Sequence, residues 1–308
     1  MEKLPNFINL KIRNETQQKL RHFFQQKNYL EVDTPLISNF PSIDLHIEPF
    51  TTFYQNSEES FLQTSPEFAM KRLLSLGSGS IFQICKAFRN GEFGQIHNPE
   101  FTIVEWYKVG ANHFELMAEI SELFESEFGF PKAKLRSYQN IFETFLEINP
   151  FEINFDSLKD FTQSKVRNLP ELNSKDDFLN LLLTEFIEPK LGFQQPEFIY
   201  DYPESQAALA KIENGKAQRF ELYIKGTEIC NGFNELTDEN EQKNRFIQEN
   251  EKRFKAKKRE LPIDYRFLEA LKTMPECSGV AMGFDRLVML LTQSSSIKQV
   301  ITFDFPNA

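Results

Sequence analysis

Two short runs dense in aromatic and β-branched residues, Ile81–Phe88 and 101–108, carry the side chains whose types could do chemistry. Side chains two apart on a strand share a face. Gln83, Cys85, Ala87 and Arg89 therefore line one side of the first run, and Phe101, Ile103, Glu105 and Tyr107 one side of the second. If the runs pair antiparallel, one face presents Arg89, Phe101, Glu105 and Tyr107 together: a fixed cation, an aromatic plate, a carboxylate and a phenol. Arginine is permanently charged and bidentate, which suits it to a phosphate or carboxylate. The spacing equally allows an ordinary cross-strand ion pair between Arg89 and Glu105, and spacing alone does not choose between the two.

Several elements must hold these residues in place. The polar loop 90–99 joins the two runs and is too long for a tight hairpin turn, a length uncommon unless the loop is used. Upstream, 14–27 reads as a helix with Leu20, Phe23 and Phe24 on one side and Asn28 as its stop. The run 29–32 is extended and closes at Thr34-Pro35. A second helix is expected over 66–76, begun by Thr64-Ser65-Pro66, and a third over 113–128. Residues 133–218 read as a mostly helical insertion with Pro150, Pro170, Pro189 and Pro196. A strand is expected over 219–225, a charged helix over 238–260, and a short strand over 300–305. Strands grouped apart from helices, without βαβ alternation, indicate an α+β fold with a mainly antiparallel sheet.

The bulk numbers are those of an ordinary globular chain: 308 residues, 40% hydrophobic and 26% charged, room for one sizeable core with a modest insertion. The 33 Phe fit a coding bias rather than a function. A formal net charge of −10 offers no sign of the basic face that grips nucleic acid. Cys85, Cys230 and Cys277 are far apart with no CxxC pair, which suits a reducing cytosol and argues against a disulfide framework or a zinc site. The N-terminus lacks a signal-peptide core and no stretch approaches ~18 apolar residues. The expected setting is the cytoplasm, with no membrane partner.

Four ordered segments resemble the signatures of the class II aminoacyl-tRNA synthetases in their lysyl form. Val32-Asp33-Thr34-Pro35 is similar to the first class II motif, which supplies a dimer interface. Phe88-Arg89-Asn90 through His97-Asn98-Pro99-Glu100-Phe101 to Glu105-Trp106-Tyr107 resembles the second. Gly279-Val280-Ala281-Met282-Gly283-Phe284-Asp285-Arg286-Leu287 resembles the third, and Asn231-Gly232-Phe233-Asn234-Glu235-Leu236-Thr237-Asp238 the lysine-pocket signature. The resemblance implies the α+β class II catalytic core over residues 1–308 as one domain, without an anticodon-binding domain, and a homodimer. It implies ATP and Mg²⁺, with Arg89 on the α-phosphate and the substrate carboxylate, and Arg286 on the γ-phosphate. Phe101 is implied to stack on adenine, with Asn90, Gly91, Glu92, His97, Asn98, Glu235, Leu236 and Gly283 completing the nucleotide site. Glu221 and Glu228 match the magnesium carboxylates. For a lysine-like substrate, Ser65, Pro66, Glu67 and Glu105 match the α-amino end. Glu235 and Tyr107 match the ε-amino end, with Asn231, Phe233 and Ala281 in the wall.

Within that family the size and wording resemble the short lysyl-tRNA synthetase paralogues that lysylate translation elongation factor P. These use (R)-β-lysine and a protein amine as acceptor, so no tRNA is expected as a partner. Ala281, where the tRNA enzymes generally have glycine, and Ser65, where they tend to have alanine, favour the paralogue. One position departs from both groups: the glutamate two after the arginine of the second motif is Gly91 here, with Glu92 next. Three readings stay open: Glu92 substitutes through a shifted loop, the backbone makes the contact, or nucleotide affinity is lower. A tRNA-acylating truncated synthetase and a non-catalytic synthetase-like regulator are the competing functions.

Overall fold

The computed structural model describes residues 6–55 and 58–308, so the first five residues of the N-terminal segment read above lie outside it. The chain divides into two compact units, Met1–Ala111 with Glu235–Ala308, and Asn112–Asn234.

The first unit opens with the helix Phe7–Gln26, whose N-cap Asn6 accepts hydrogen bonds from the amides of Ile8 and Asn9. It begins a full turn and more before the helix expected from periodicity. The reason is that its buried position before residue 14 is polar, Asn9, so no apolar stripe marks those turns. Asn9 instead donates to Ser294 Oγ and the Gln299 carbonyl. Farther along, Phe24 stacks on Phe82 at 4.5 Å and packs at 5.1 Å from Trp106. These rings fix the helix against the sheet below it.

That sheet positions the site. Leu30–Glu31 runs parallel to Ile81–Phe88. Ile81–Phe88 pairs antiparallel with Glu100–Val109, placing Gln83 opposite Glu105 and Ala87 opposite Phe101. Glu100–Val109 pairs antiparallel with Cys277–Gly283, placing Ala281 opposite Glu105 and Gly279 opposite Tyr107. The two runs read from the sequence are therefore neighbours in the register needed to put Phe101, Glu105 and Tyr107 on one face. The helix Glu67–Ser75 packs on Tyr265–Leu271 through Phe68 and Phe267, stacked at 4.2 Å. A small sheet of Ile37–Ser38, Thr51–Tyr54 and Glu58–Leu62 completes this unit's strands.

The second unit begins with His113–Phe128, started by an Asn112–Glu115 capping box and ended at Gly129 in the left-handed region. Glu197–Pro203 pairs parallel with Lys134–Ser137 and antiparallel with Lys216–Ile224. Lys216–Ile224 in turn pairs antiparallel with Thr227–Asn234, with an irregularity between Leu222 and Tyr223. Three helices, Tyr138–Leu146, Phe155–Lys165 and Lys175–Leu182, cover a core that includes Phe142, Leu158, Leu182 and Tyr202.

The α+β class with mainly antiparallel pairing is as expected. The stretch 300–305 is not a strand, although Val300, Ile301 and Thr302 favour one. It lies between two short 3-10 turns, and the side chain of Asn98 accepts the Phe305 amide. The Val300 and Ile301 amides both donate to the Ile297 carbonyl, so with Phe305 held by Asn98 these backbone groups are not left for a strand partner. Among the described residues no helix is long and apolar enough to cross a membrane.

Candidate active site

In the first unit, Arg89 follows the last residue of the strand Ile81–Phe88, and its backbone amide donates to the Pro99 carbonyl at 2.9 Å. The next amide, of Asn90, donates to the Glu48 carbonyl at 2.8 Å. Both ends of the loop are thereby pinned beside the guanidinium. The Arg89 side chain reaches over the Phe101 ring, with its Cζ 5.0 Å from the ring centroid, and its Nε approaches the Thr64 carbonyl at 3.4 Å. The cation and the aromatic plate therefore sit together, as strand parity required.

Gly91 has φ +85°, a conformation side chains rarely adopt, and open space where a Cβ would stand. Backbone geometry, not crowding, excludes a glutamate there. The carboxylate of Glu92 lies 3.6 Å from Arg89 Nη1, so the acid of this loop stands beside the arginine from the position one residue on.

Arg286 Nη2 donates to His97 Nε2 at 2.6 Å. Arginine has no acceptor, so the His97 Nε2 must accept and the neutral ring carries its proton on Nδ1. Burial, and then the Arg286 and Arg89 cations, hold the His97 pKa below the ordinary value. Arg89, His97 and Arg286 thus share one electrostatic neighbourhood. Asp285, next to Arg286, accepts from the Thr102 amide at 2.8 Å and pairs with Arg13 at 2.5 Å. This locks the start of the last long helix, Phe284–Leu291, to the strand that carries Glu105. Gly283 packs on the Arg286 stem, its absent Cβ 3.4 Å from Cδ. Asn98 is committed structurally, donating to the Glu100 carbonyl at 2.7 Å and accepting from the Phe305 amide. Leu236 is buried in the same unit.

The acid cluster lies on the same strand face. Glu105 is 2% exposed and accepts from Tyr107 Oη at 2.6 Å and Ser65 Oγ at 2.7 Å. Ser65 Oγ also accepts the amide of Glu67, the first residue of the helix that Pro66 begins. Glu67 then meets Lys71 one turn on, Oε1 to Nζ at 2.6 Å, and the same Nζ lies 2.6 Å from Glu235 Oε2. The second contact is close in distance but not aligned as a hydrogen bond, since Oε2 has no directed donor; its strength is electrostatic. Gly279 closes the cluster: a Cβ there would lie 2.3 Å from Tyr107 Cε1 and 2.4 Å from Glu235 Oε1. Only glycine admits the strand this close.

Burial, and then the neighbouring Glu67 carboxylate, push Glu105 up to about 7. Burial pushes Glu235 up to about 8 against the opposing pull of Lys71. Burial alone would lower Lys71, but Glu235 and Glu67 outweigh it and hold the ammonium above the usual lysine value. Tyr107 is raised by burial and by the surrounding carboxylates, so it remains a donor. Lys71 escaped the sequence reading because a lysine on an amphipathic helix ordinarily faces water. Its spacing of four from Glu67 was the available signal.

Ser65 lowers the Glu105 pKa by donating to its charged form. In Ser65→Ala that stabilisation is lost and Glu105 holds its proton to higher pH. A cationic ligand that needs Glu105 ionised should then bind well only at higher pH. The expected result is an upward shift of the acidic limb of 1/KM for the amino acid, with a KM roughly 3–10-fold higher at neutral pH, of the order of one lost hydrogen bond to a charged group. Superimposable pH profiles would refute this use of Ser65.

The second unit carries the remaining expected residues. Glu221 is 6% exposed and accepts from Tyr202 Oη at 2.7 Å, Tyr223 Oη at 2.6 Å and Arg219 Nη2 at 2.5 Å. Asn231 Nδ2 lies 3.4 Å from the same carboxylate, while Asn231 Oδ1 is buried without a partner. Glu228 stands opposite Tyr223 on the paired strand. Phe233 packs against the unit's hydrophobic core. Among the described residues no group of three or more metal-ligating side chains forms a standing metal centre. The oxygen donors fit a hard cation that brings other ligands with it. Asn231 Oδ1 could serve directly, whereas Glu221 would have to release one of its present donors.

The profile of the family "tRNA synthetases class II (D, K and N)" matches residues 6–307. The chain is 44% identical to the protein named elongation factor P--(R)-beta-lysine ligase of Pseudoalteromonas translucida (strain TAC 125), over 97% of this chain and 96% of that protein. It is 43% identical, with the same coverage of each, to the protein of the same name from Vibrio atlanticus (strain LGP32). With that profile matching almost the whole chain and these relatives covering it, the chain belongs to the class II tRNA synthetase family of the D, K and N type.

Proposed function

We propose that this chain is an ATP-dependent ligase that activates (R)-β-lysine, or lysine, and transfers it to the ε-amino group of a lysine on translation elongation factor P. Relatives of that name cover almost the whole chain at 43–44% identity. The observation that carries the reading is the acid cluster: Glu67 and Glu235 meet at Lys71, and Glu105 stands on the sheet face that also presents Phe101, over which Arg89 lies. A substrate with two ammonium groups and one carboxylate has its counter-charges there.

In the first step a substrate carboxylate oxygen attacks the α-phosphorus of ATP, forming a P–O bond as the bond to pyrophosphate breaks. Negative charge builds on the phosphate, and Arg89 neutralises it while Arg286 holds the far phosphates. His97, kept neutral and accepting from Arg286, orients that guanidinium without competing as a cation. Phe101 offers its ring for adenine. Glu221 and Glu228 are the carboxylates that would hold Mg²⁺, which would supply charge neutralisation for the ATP phosphates. In the second step the acceptor amine attacks the acyl carbon, an amide forms, AMP leaves and the amine loses a proton. Catalysis here is positioning and charge neutralisation, with no covalent enzyme intermediate. The working form is a homodimer, on the strength of the Val32–Pro35 segment, and its setting the cytoplasm, on that of the scattered cysteines and the lack of a signal-peptide core.

The test offers purified elongation factor P and tRNA(Lys) as acceptors with labelled (R)-β-lysine or lysine. Label is expected on the protein. Label found only on tRNA would replace this reading with the truncated synthetase, and no amino-acid-dependent ATP–pyrophosphate exchange would leave the regulatory one.

A further inference from the structure

The acid cluster contains a cation of its own. Glu67, Glu105 and Glu235 are, among the described residues, the carboxylates that gather around Lys71, and Lys71 is 1% exposed. A lysine buried this deeply between two carboxylates is not a solvated surface charge. Its stem passes the helix Tyr265–Leu271, where its Nζ lies 6.0 Å from the Phe267 ring. The strand Cys277–Gly283 presents Gly279 and Ala281, which bring no charge. The strand Glu100–Val109 presents Glu105 and Tyr107. Lys71 is therefore the one ammonium that Glu67 and Glu235 share in this cluster.

We infer that Lys71 is a specificity-determining residue: a built-in ammonium that neutralises one of three converging carboxylates and leaves two, so that the pocket matches a substrate carrying two ammonium groups. This rests on the proposed lysine-like substrate and deepens it. With three acids and no internal cation, a dication would leave one carboxylate unmatched. With two acids and Lys71, it would leave one ammonium unmatched. An unmatched charge in a buried site is the costly case. Lysine and (R)-β-lysine present the same number of charges, so Lys71 selects the dication and leaves the choice of isomer to other contacts such as Ala281.

Lys71 is a positioning residue, and a charge count makes a prediction that mere structural support does not. Lys71→Met removes the ammonium at nearly constant volume and leaves three acids for two ammoniums. The KM for the amino acid in ATP–pyrophosphate exchange should rise at least tenfold, with the KM for ATP unchanged. Without Lys71 to favour ionised Glu235, the acidic limb of 1/KM should also move to higher pH. The double variant Lys71→Met/Glu235→Gln restores two acids for two ammoniums, so it should exceed Glu235→Gln in kcat/KM. If Lys71 only supported the fold, the two losses would add and the double variant would be the worse one. An additive double variant, or a KM within threefold of wild type in Lys71→Met, overturns the inference.

Nucleotide-free binding keeps this test separate from the proposed activity. By calorimetry, pentane-1,5-diamine should bind the wild-type protein at least tenfold tighter than pentylamine. Equal affinities overturn the charge count even if exchange is observed. Preference for the diamine without any exchange would instead retain the charge count and reject the activity.

Discussion

Replacing Glu235 by glutamine is expected to abolish amino-acid-dependent ATP–pyrophosphate exchange, a loss on the order of 10²–10³ in kcat/KM, while ATP binding is retained. Glu235 is 1% exposed, and its carboxylate is within 2.6 Å of the Lys71 ammonium. Glutamine preserves the shape and removes the charge. Lys71 then has only Glu67 as its direct counter-ion, and a substrate ammonium arriving at that depth meets an amide. Breaking a buried charge pair by removing one partner costs about 3–5 kcal/mol, which is the source of the expected factor. Glu235 is paired with Lys71, whereas Arg89 is flanked by Glu92, so a fluorescent ATP analogue should still bind the variant. Exchange at the wild-type rate would show that the pocket has been assigned wrongly. Loss of nucleotide binding together with exchange would point to a collapsed fold, which thermal melting would reveal.

The same residues show what a sequence can and cannot disclose about such a site. Strand parity is a strict period of two, so Phe101, Glu105 and Tyr107 could be placed on one face before any coordinates, and Arg89 at the end of the facing run could be placed with them. The pairing in the structure, Ala87 opposite Phe101 and Gln83 opposite Glu105, needs no more than that alternation. Long-range convergence is different in kind. Nothing local to Lys71 signals that Glu235 closes on it, because the two meet only once the sheet and the helix Glu67–Ser75 have packed. Lys71 also violates the amphipathic rule by which helices are read, since its ammonium points inward. Polar residues on buried faces hid the first turns of the opening helix for the same reason. At 300–305 the opposite holds: β-branched residues suggest a strand, but the Ile297 carbonyl takes the Val300 and Ile301 amides and the distant Asn98 takes that of Phe305. Gly91 was visible as a departure from the family pattern. Its positive φ, which explains why the acid stands one residue on, was not.

Arg89→Lys is expected to lower kcat of exchange by on the order of 10²–10³, with a smaller change in the KM for ATP. The distinction follows from what each step asks of the side chain. Ground-state ATP already carries negative charge, and a lysine ammonium can answer part of it as a point charge. In the transition state the entering carboxylate and the α-phosphate oxygens must be bridged at once, which a planar guanidinium does and an ammonium does not. Removing one preorganised donor from developing charge costs about 2.7–4 kcal/mol in comparable sites. Arg89 is preorganised here: the Phe101 ring lies beneath it, the Thr64 carbonyl approaches its Nε, and Glu92 flanks its Nη1. A lysine at this position keeps the charge but loses the Nε contact and the flat face that stacks on Phe101. Because the side chain is 27% exposed and its backbone bonds to Pro99 are unaffected, the variant should melt within a few degrees of the wild type. That isolates the effect to the chemistry. A variant with kcat within threefold of wild type would mean that the α-phosphate is neutralised by some other group, and the assignment of Arg89 would have to be abandoned.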